Sequence, residues 1–248
     1  MPVLRDLLLL PSLSPLANNI AAAMIMVVVY RCMIEFAGWL RVRFGMAAQA
    51  RQILQMTLSA TVVFWPLFDP TEWSWRLNAI LPAAMLLRCL VKAYSKDPDD
   101  VDVQNLSRSS SPSDLLFGPL QLCTIMIYCG LYQFMTQEAA ILTAAVGVGD
   151  GLAPMIGNLY GRHQYQMPLA NKKTMEGSIV GVFLGTVAAS YVYISMMGIH
   201  PIPPLRCVLV YGIVAAIVEG SSPGNFDNLS TALIIHFSLD TIDEWVPP

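Results

Sequence analysis

Apolar blocks separated by short polar segments run through almost the whole of this chain, and most approach the roughly 17–25 residues with which a helix crosses hydrocarbon. They fall at residues 19–37, 53–68, 77–91, 115–134, 139–156, 177–197, 205–218 and 229–239. A water-soluble fold of this length would bury about three-quarters of its surface and need a charged shell for the rest. Only 12% of the 248 residues are charged against 55% in the hydrophobic set, so that shell is missing and the apolar residues must face lipid. The pattern predicts an all-α integral membrane protein, a single bundle of about seven to eight transmembrane helices. Disorder is excluded by the same composition. With 14 Lys and Arg against 17 Asp and Glu, the net charge of -3 also argues against nucleic acid as a partner.

One domain is expected over residues 1–248, with an N-terminal tail at 1–18 and a polar loop at 92–114 that carries Asp97, Asp99, Asp100, Asp102 and the run Ser109, Ser110, Ser111. The apolar run Leu7 to Leu10 follows only Arg5 and is broken by Pro11 and Pro15, which makes a poor signal peptide or transit peptide. Cys32, Cys89, Cys123, Cys129 and Cys207 contain no C-x-x-C pair and read as apolar filler, not as a disulfide or zinc framework. If eight helices alternate sides, loops one, three, five and seven share one face, here called face A. That face collects Arg41, Arg43, Arg51, Lys92, Lys96, Arg108, Arg162, Lys172 and Lys173, and the positive-inside tendency makes it cytoplasmic or its organellar equivalent. Gly177, Gly181 and Gly185 form a G-x-x-x-G-x-x-x-G run that predicts close helix packing in the sixth span.

Candidate chemistry gathers on the same face. Asp150 lies inside the fifth block among Gly147, Gly149 and Gly151, and an acid within hydrocarbon is a functional candidate because its desolvation is costly. The glycines would let the backbone open there; the alternative is an Asp that caps a broken helix. Gly157, Gly161, Arg162 and His163, then Lys172, Lys173 and Thr174, then Glu176 and Gly177 form a cationic, glycine-bearing loop running into a helix N-terminus. That arrangement suits phosphate, the alternative being a basic loop that touches lipid headgroups. The seventh loop, Glu219 to Asn228, has Glu219 and Asp227 at its two ends. These acids either hold a divalent cation that bridges phosphates or cap a Pro/Gly turn. The literal G-x-S-x-G at residues 220–224 joins two spans, so it is not the strand–turn–helix elbow of a hydrolase. His163, His200 and His236 lack metal-ligand spacing.

Taken in order, the motifs carry a resemblance. Leu106-Ser107-Arg108, Asp114 through Leu120, Gly149 through Ala153, Gly157 through Gly161, Lys172-Lys173-Thr174 with Glu176-Gly177-Ser178, Val218-Glu219, and Asp227 through Ser230 resemble the successive signatures of the phytol, farnesol and dolichol kinase family. The likeness covers roughly residues 50–233, and the Ser107-to-Pro119 spacing is most similar to the phytol and farnesol branch. It implies transfer of the γ-phosphate of a nucleoside triphosphate, typically CTP, to the hydroxyl of an isoprenoid alcohol, with Mg2+ as cofactor. The implied roles put Lys172 and Lys173 on the phosphates and Asp150 on the metal or the hydroxyl. Glu219 and Asp227 would hold the metal. Arg108, Gly151, Gly157, Gly161, Arg162, Thr174 and Gly177 would line the nucleotide site. A plastid or photosynthetic membrane is implied, with the endoplasmic reticulum as the alternative and the site on the cytoplasmic or stromal face.

The chain departs from the family's R-K-x-x-H with Arg51-Gln52-Ile53-Leu54-Gln55, has Pro154 where a second acid is common and Asn158 where Arg is usual, and has Phe226 before Asp227. Such losses would weaken or remove activity or shift substrate, so a catalytically impaired homologue is a further alternative. A CTP:phosphatidate cytidylyltransferase is the alternative enzyme, disfavoured because residues 222–228 lack that family's Asp-Arg pair. A transporter using Asp150 is the non-enzyme alternative, disfavoured because the two halves show no repeat.

Overall fold

The computed structural model describes residues 14–95, 97, 100–107, 111–168 and 170–245. Helix α1 (Pro15–Phe44) starts where the Ser14 side chain accepts from the Ala17 amide and Pro15 supplies a preset φ, and it stops at Gly45, whose φ of 67° suits a residue without Cβ. It begins four residues before the expected span, so the tail is shorter than the sequence suggests. Helix α2 (Ala47–Ala60) passes into a tighter 3-10 segment at Thr61–Leu67, which contains Pro66. A second 3-10 segment, Trp73–Ala79, leads into α3 (Ile80–Ser95). The expected loop at 92–114 is partly helical, holding α4 (Val101–Leu106) and a 3-10 turn at Pro112–Leu116 before α5 (Gly118–Tyr132).

The fifth rod is continuous. Helix α6 (Gln137–Thr143) widens into a π-helical segment at Ala144–Gly149 and continues as α7 (Asp150–Tyr160). The glycines therefore do not open the backbone at Asp150; they thin it. A Cβ on Gly149 would lie 2.5 Å from Thr186 Oγ1 and 3.2 Å from the Val182 carbonyl oxygen, so this rod can touch its neighbour only as glycine. After α7 the chain makes a small antiparallel hairpin, β1 (Gln164–Tyr165) with β2 (Lys173–Thr174), Gln164 opposite Thr174. The sixth rod is a π-helical segment, Gly177–Leu184, followed by α8 (Gly185–Met197). Its glycine run packs on α7: a Cβ on Gly181 would fall 2.5 Å from Ala153 Cα and 2.6 Å from its nitrogen. Helices α9 (Leu205–Ser221) and α10 (Asp227–Trp245) complete the bundle, the last longer than the short block that predicted it.

Eight rods thus appear among the described residues, and five of them are long and apolar enough to cross a membrane: Pro15–Phe44, Trp73–Ser95, Pro112–Tyr132, Gln137–Tyr160 and Gly177–Met197. The other three are shorter or more polar. Outward-facing Val28, Leu87, Val192, Ile213 and Ile217 are exposed, an apolar perimeter that water would penalise and lipid satisfies. The interior is equally apolar, with Trp65, Met126, Leu142, Ile194 and Tyr211 almost fully buried. Alternation of sides is visible in the hydrogen bonds. At one end Arg41 Nη1 donates to Gln104 Oε1 (2.6 Å), Gln121 Nε2 to the Asn225 carbonyl (3.0 Å) and Asn171 Nδ2 to the Gly224 carbonyl (3.2 Å), joining loops one, three, five and seven. At the other end Asn19 Nδ2 donates to the Asp69 carbonyl (3.1 Å) and Gln137 Nε2 to the Pro201 carbonyl (2.5 Å).

Candidate functional site

Three carboxylates from three rods meet at the face-A end of the bundle. Asp150 opens α7, Glu219 stands in the last turn of α9 and Asp227 is the first residue of α10; each offers an oxygen within 4.8 Å of the others. The short connection between α9 and α10 brings Glu219 and Asp227 together, and the π-helical segment before Asp150 sets the turn on which it emerges. Glu219 and Asp227 are both 5% exposed, and Asp150 is half-buried.

Like charges this close need cations. Lys173, on β2, supplies one: its ammonium forms an ion pair with Glu219 Oε1 and donates to the Glu219 backbone carbonyl at 2.7 Å. Glu219 Oε2 remains buried and accepts no hydrogen bond, which is the state of an oxygen reserved for a cation. Oxygen donors from several carboxylates in one concave site are the ligand set that hard divalent ions take, so these residues fit such an ion. Gln55, on α2, donates from Nε2 to Asp150 Oδ2 (2.6 Å) and to the Val146 carbonyl (3.1 Å), which fixes the Asp150 side chain.

The acids line a polar cavity of about 400 Å³, within the size range of small-molecule sites. Of the residues expected at a nucleotide, Gly157, Lys172, Lys173, Thr174 and Gly177 line it together with Asp150, Glu219 and Asp227. Thr174 Oγ1 also accepts from the Gly177 amide (3.2 Å) and so caps the start of the sixth rod. Three of the residues expected at the nucleotide, Gly151, Gly161 and Arg162, are not among those that line the cavity. At Gly151 an added Cβ would lie 2.7 Å from Met56 Cγ, so the glycine serves the approach of α7 to α2. Gly161 ends α7, its amide bonded to the Gly157 carbonyl (3.0 Å), and Arg162 beside it is exposed outside the cavity. Arg108 lies outside the described residues.

The hairpin is held from outside by Glu176, which accepts from His163 Nδ1 (2.8 Å) and from the His163 amide (3.3 Å). Hydrogen bonds from its own amide, then from His163 and the Arg162 amide, hold the Glu176 carboxyl down to about 2. Tyr165 and Ser178 share a hydrogen bond of 2.6 Å across the hairpin's base.

Sequence reasoning assigned no site role to Arg51, Gln52, Gln55, Asn158 or Ser178, which it placed only on face A, as departures or within a motif, and did not single out Gln164 or Asn171; all of these line the cavity. The signal for the first group was present: Arg51, Gln52 and Gln55 are polar positions one and four residues apart at the mouth of an apolar block.

A family model described as "Cytidylyltransferase family" matches residues 7–222. The chain belongs to the Cytidylyltransferase family. Within it, this family member is 28% identical over 183 residues to a rice protein (Oryza sativa subsp. japonica) named "Probable phytol kinase 2, chloroplastic", covering 72% of this chain and 59% of the relative. It is 30% identical over 162 residues to a soybean protein (Glycine max) named "Probable phytol kinase 1, chloroplastic", covering 60% of this chain and 53% of the relative. A maize protein (Zea mays) named "Probable phytol kinase, chloroplastic" is 26% identical over 161 residues, covering 60% of this chain and 52% of the relative. The chain spans rather more than half the length of these curated relatives. Family and relatives agree with the resemblance carried by the motifs.

Proposed function

We propose that this chain is a membrane kinase that moves the γ-phosphoryl group of CTP to the hydroxyl of an isoprenoid alcohol of the phytol, farnesol or geranylgeraniol type. The observation that carries the reading is the meeting of Asp150, Glu219 and Asp227 with Lys172 and Lys173 in one polar cavity at the membrane face. Phosphoryl transfer asks little covalent chemistry of a protein and much positioning and charge neutralisation. The oxygen of the alcohol forms a bond to the γ-phosphorus, the bond from that phosphorus to the β-bridging oxygen breaks, and CDP leaves. The hydroxyl proton passes to a base, the role this reading gives to Asp150, whose Oδ2 accepts from Gln55. Lys172 and Lys173 bind the phosphates, Lys173 exchanging Glu219 for a phosphate oxygen as substrate enters. Asp150, Glu219 and Asp227 would hold Mg2+, which when bound neutralises phosphate charge. The names of the plant relatives support a plastid membrane, with the cation-rich face turned to the stroma or cytosol by the positive-inside tendency.

The family name favours a second reading, a CDP-lipid synthase that releases pyrophosphate. One experiment separates the two: full-length protein in detergent micelles with Mg2+ and CTP labelled at the α- or the γ-phosphorus, offered prenyl alcohols and phosphatidate. The kinase reading expects γ-label in a prenyl monophosphate. Label from the α-position in a lipid overturns it, as does UTP or ATP serving as donor where CTP does not.

A further inference from the structure

A second, narrow cavity of about 40 Å³ lies on the other side of Asp150 from the Lys172 and Lys173 hairpin. It shares Arg51, Gln55 and Asp150 with the polar cavity, so the two meet at the carboxylate. Beyond that junction its walls are apolar and buried: Tyr30 of α1, Leu58 of α2, Met85 and Cys89 of α3, Leu122 and Cys123 of α5. Met85 lies ten residues from the Ser95 end of α3, roughly 15 Å at 1.5 Å per residue, which is about half the thickness of the hydrocarbon core. The slot therefore descends from the polar face toward mid-bilayer.

At its polar end stands Asn228, 3% exposed, whose carboxamide oxygen is buried and accepts no hydrogen bond. Buried acceptors are rarely left so, and a ligand hydroxyl is the partner that would satisfy it. We propose that this slot seats the hydrocarbon chain of a single-chain lipid alcohol, with its hydroxyl between Asp150 and Asn228. The proposal rests on the kinase reading above and adds the selection: a slot this narrow admits the hydroxyl end of one chain and not two chains side by side, so diacylglycerol is refused. Asp150 then stands at the boundary between a site for phosphates and a site for hydrocarbon, where the oxygen of the alcohol and the transferred phosphorus must meet.

The test uses the full chain in lipid nanodiscs with a diazirine-bearing geranylgeraniol analogue, mapped by peptide mass spectrometry, beside CTP binding and turnover. Label on peptides carrying Met85, Cys89 or Leu122, competed by phytol and not by diacylglycerol, is expected. Asn228→Leu should raise KM for the alcohol about tenfold, the worth of one hydrogen bond, with CTP affinity unchanged and thermal stability equal or higher. Cys123→Phe should block the label. Label confined to perimeter residues such as Ile217, or equal competition by diacylglycerol, overturns the slot even if prenyl phosphate is made. Competed label inside the slot with no turnover overturns the kinase reading and leaves the slot standing.

Discussion

Removing the Lys173 ammonium should unbalance the acidic cluster in a way that a divalent cation repairs. Two unit negative charges 4.8 Å apart repel by about 3.5 kcal/mol at an effective dielectric of 20, and Glu219 stands this close to both Asp150 and Asp227. In Lys173→Met the three acids keep their mutual repulsion and Glu219 loses its ion pair, so without metal the unfolding free energy should fall by about 3 kcal/mol, the cost of orphaning a buried charge. Glu219→Gln removes the ion pair and two repulsions together. Its unfolding free energy should stay within about 1 kcal/mol of the parent, and the double variant should resemble it. A cation at one hundred times its dissociation constant adds about 2.7 kcal/mol, so Mg2+ should stabilise the parent and Lys173→Met strongly and Glu219→Gln weakly. The assay is unfolding in detergent micelles with EDTA and then with Mg2+. The reasoning is refuted if Lys173→Met matches the parent in EDTA, or if Mg2+ stabilises Glu219→Gln as much as the parent.

Asp150→Asn should lower turnover by at least about a hundredfold with helix content and membrane insertion intact; near-normal kcat in the labelled-CTP assay removes Asp150 from the chemistry. Gly181→Ala should cost about 1–3 kcal/mol, because its Cβ meets the Ala153 backbone at 2.5 Å, whereas Gly38→Ala, with nothing within 4 Å, should be neutral or stabilising; melting temperatures compare the two. The Glu176 clasp has a carboxyl lowered from 4.5 to about 2, so its contribution is complete above pH 4.5 and is lost as pH falls toward 2. Hydrogen-exchange protection of the His163 amide should fall as pH drops below 4.5, and Glu176→Gln should lose that step.

The spans were legible because lipid leaves only length and apolarity to read, and residues 177–197 coincide with the observed sixth rod. The ends were less legible. Ser14 and Gly45 set α1 through a cap and a left-handed turn outside the apolar block, and Val101–Leu106 is a helix whose pattern is too short and polar to stand out. The acids and lysines of the site were legible as types on one face. Their pairing was not: nothing in the spacing of Lys173 and Glu219 announces an ion pair across 46 positions of chain. That Gly151 and Gly161 do not line the cavity was not legible either, because a glycine motif does not say which neighbour comes close, and the π-helical segment before Asp150 rotates the turns that follow it.

Gln55 shows how a departure from a family pattern can be read physically. Losing a histidine there suggested a weakened site, since a group able to carry a proton was gone. The amide of Gln55 nevertheless reaches Asp150 Oδ2 at 2.6 Å and is itself fixed to the Val146 carbonyl, so the hydrogen bond that orients the acid is kept while the positive charge is not. Phe226, in place of a second acid, packs edge-on against Phe117 with ring centroids 6.2 Å apart, leaving Asp227 to complete the carboxylate set with Asp150 and Glu219. The hydrogen bond on Asp150 and the three converging carboxylates are therefore present despite the departures at Gln55 and Phe226, while Pro154 and Asn158 line the cavity without the charge of the acid and the Arg that the family pattern has there.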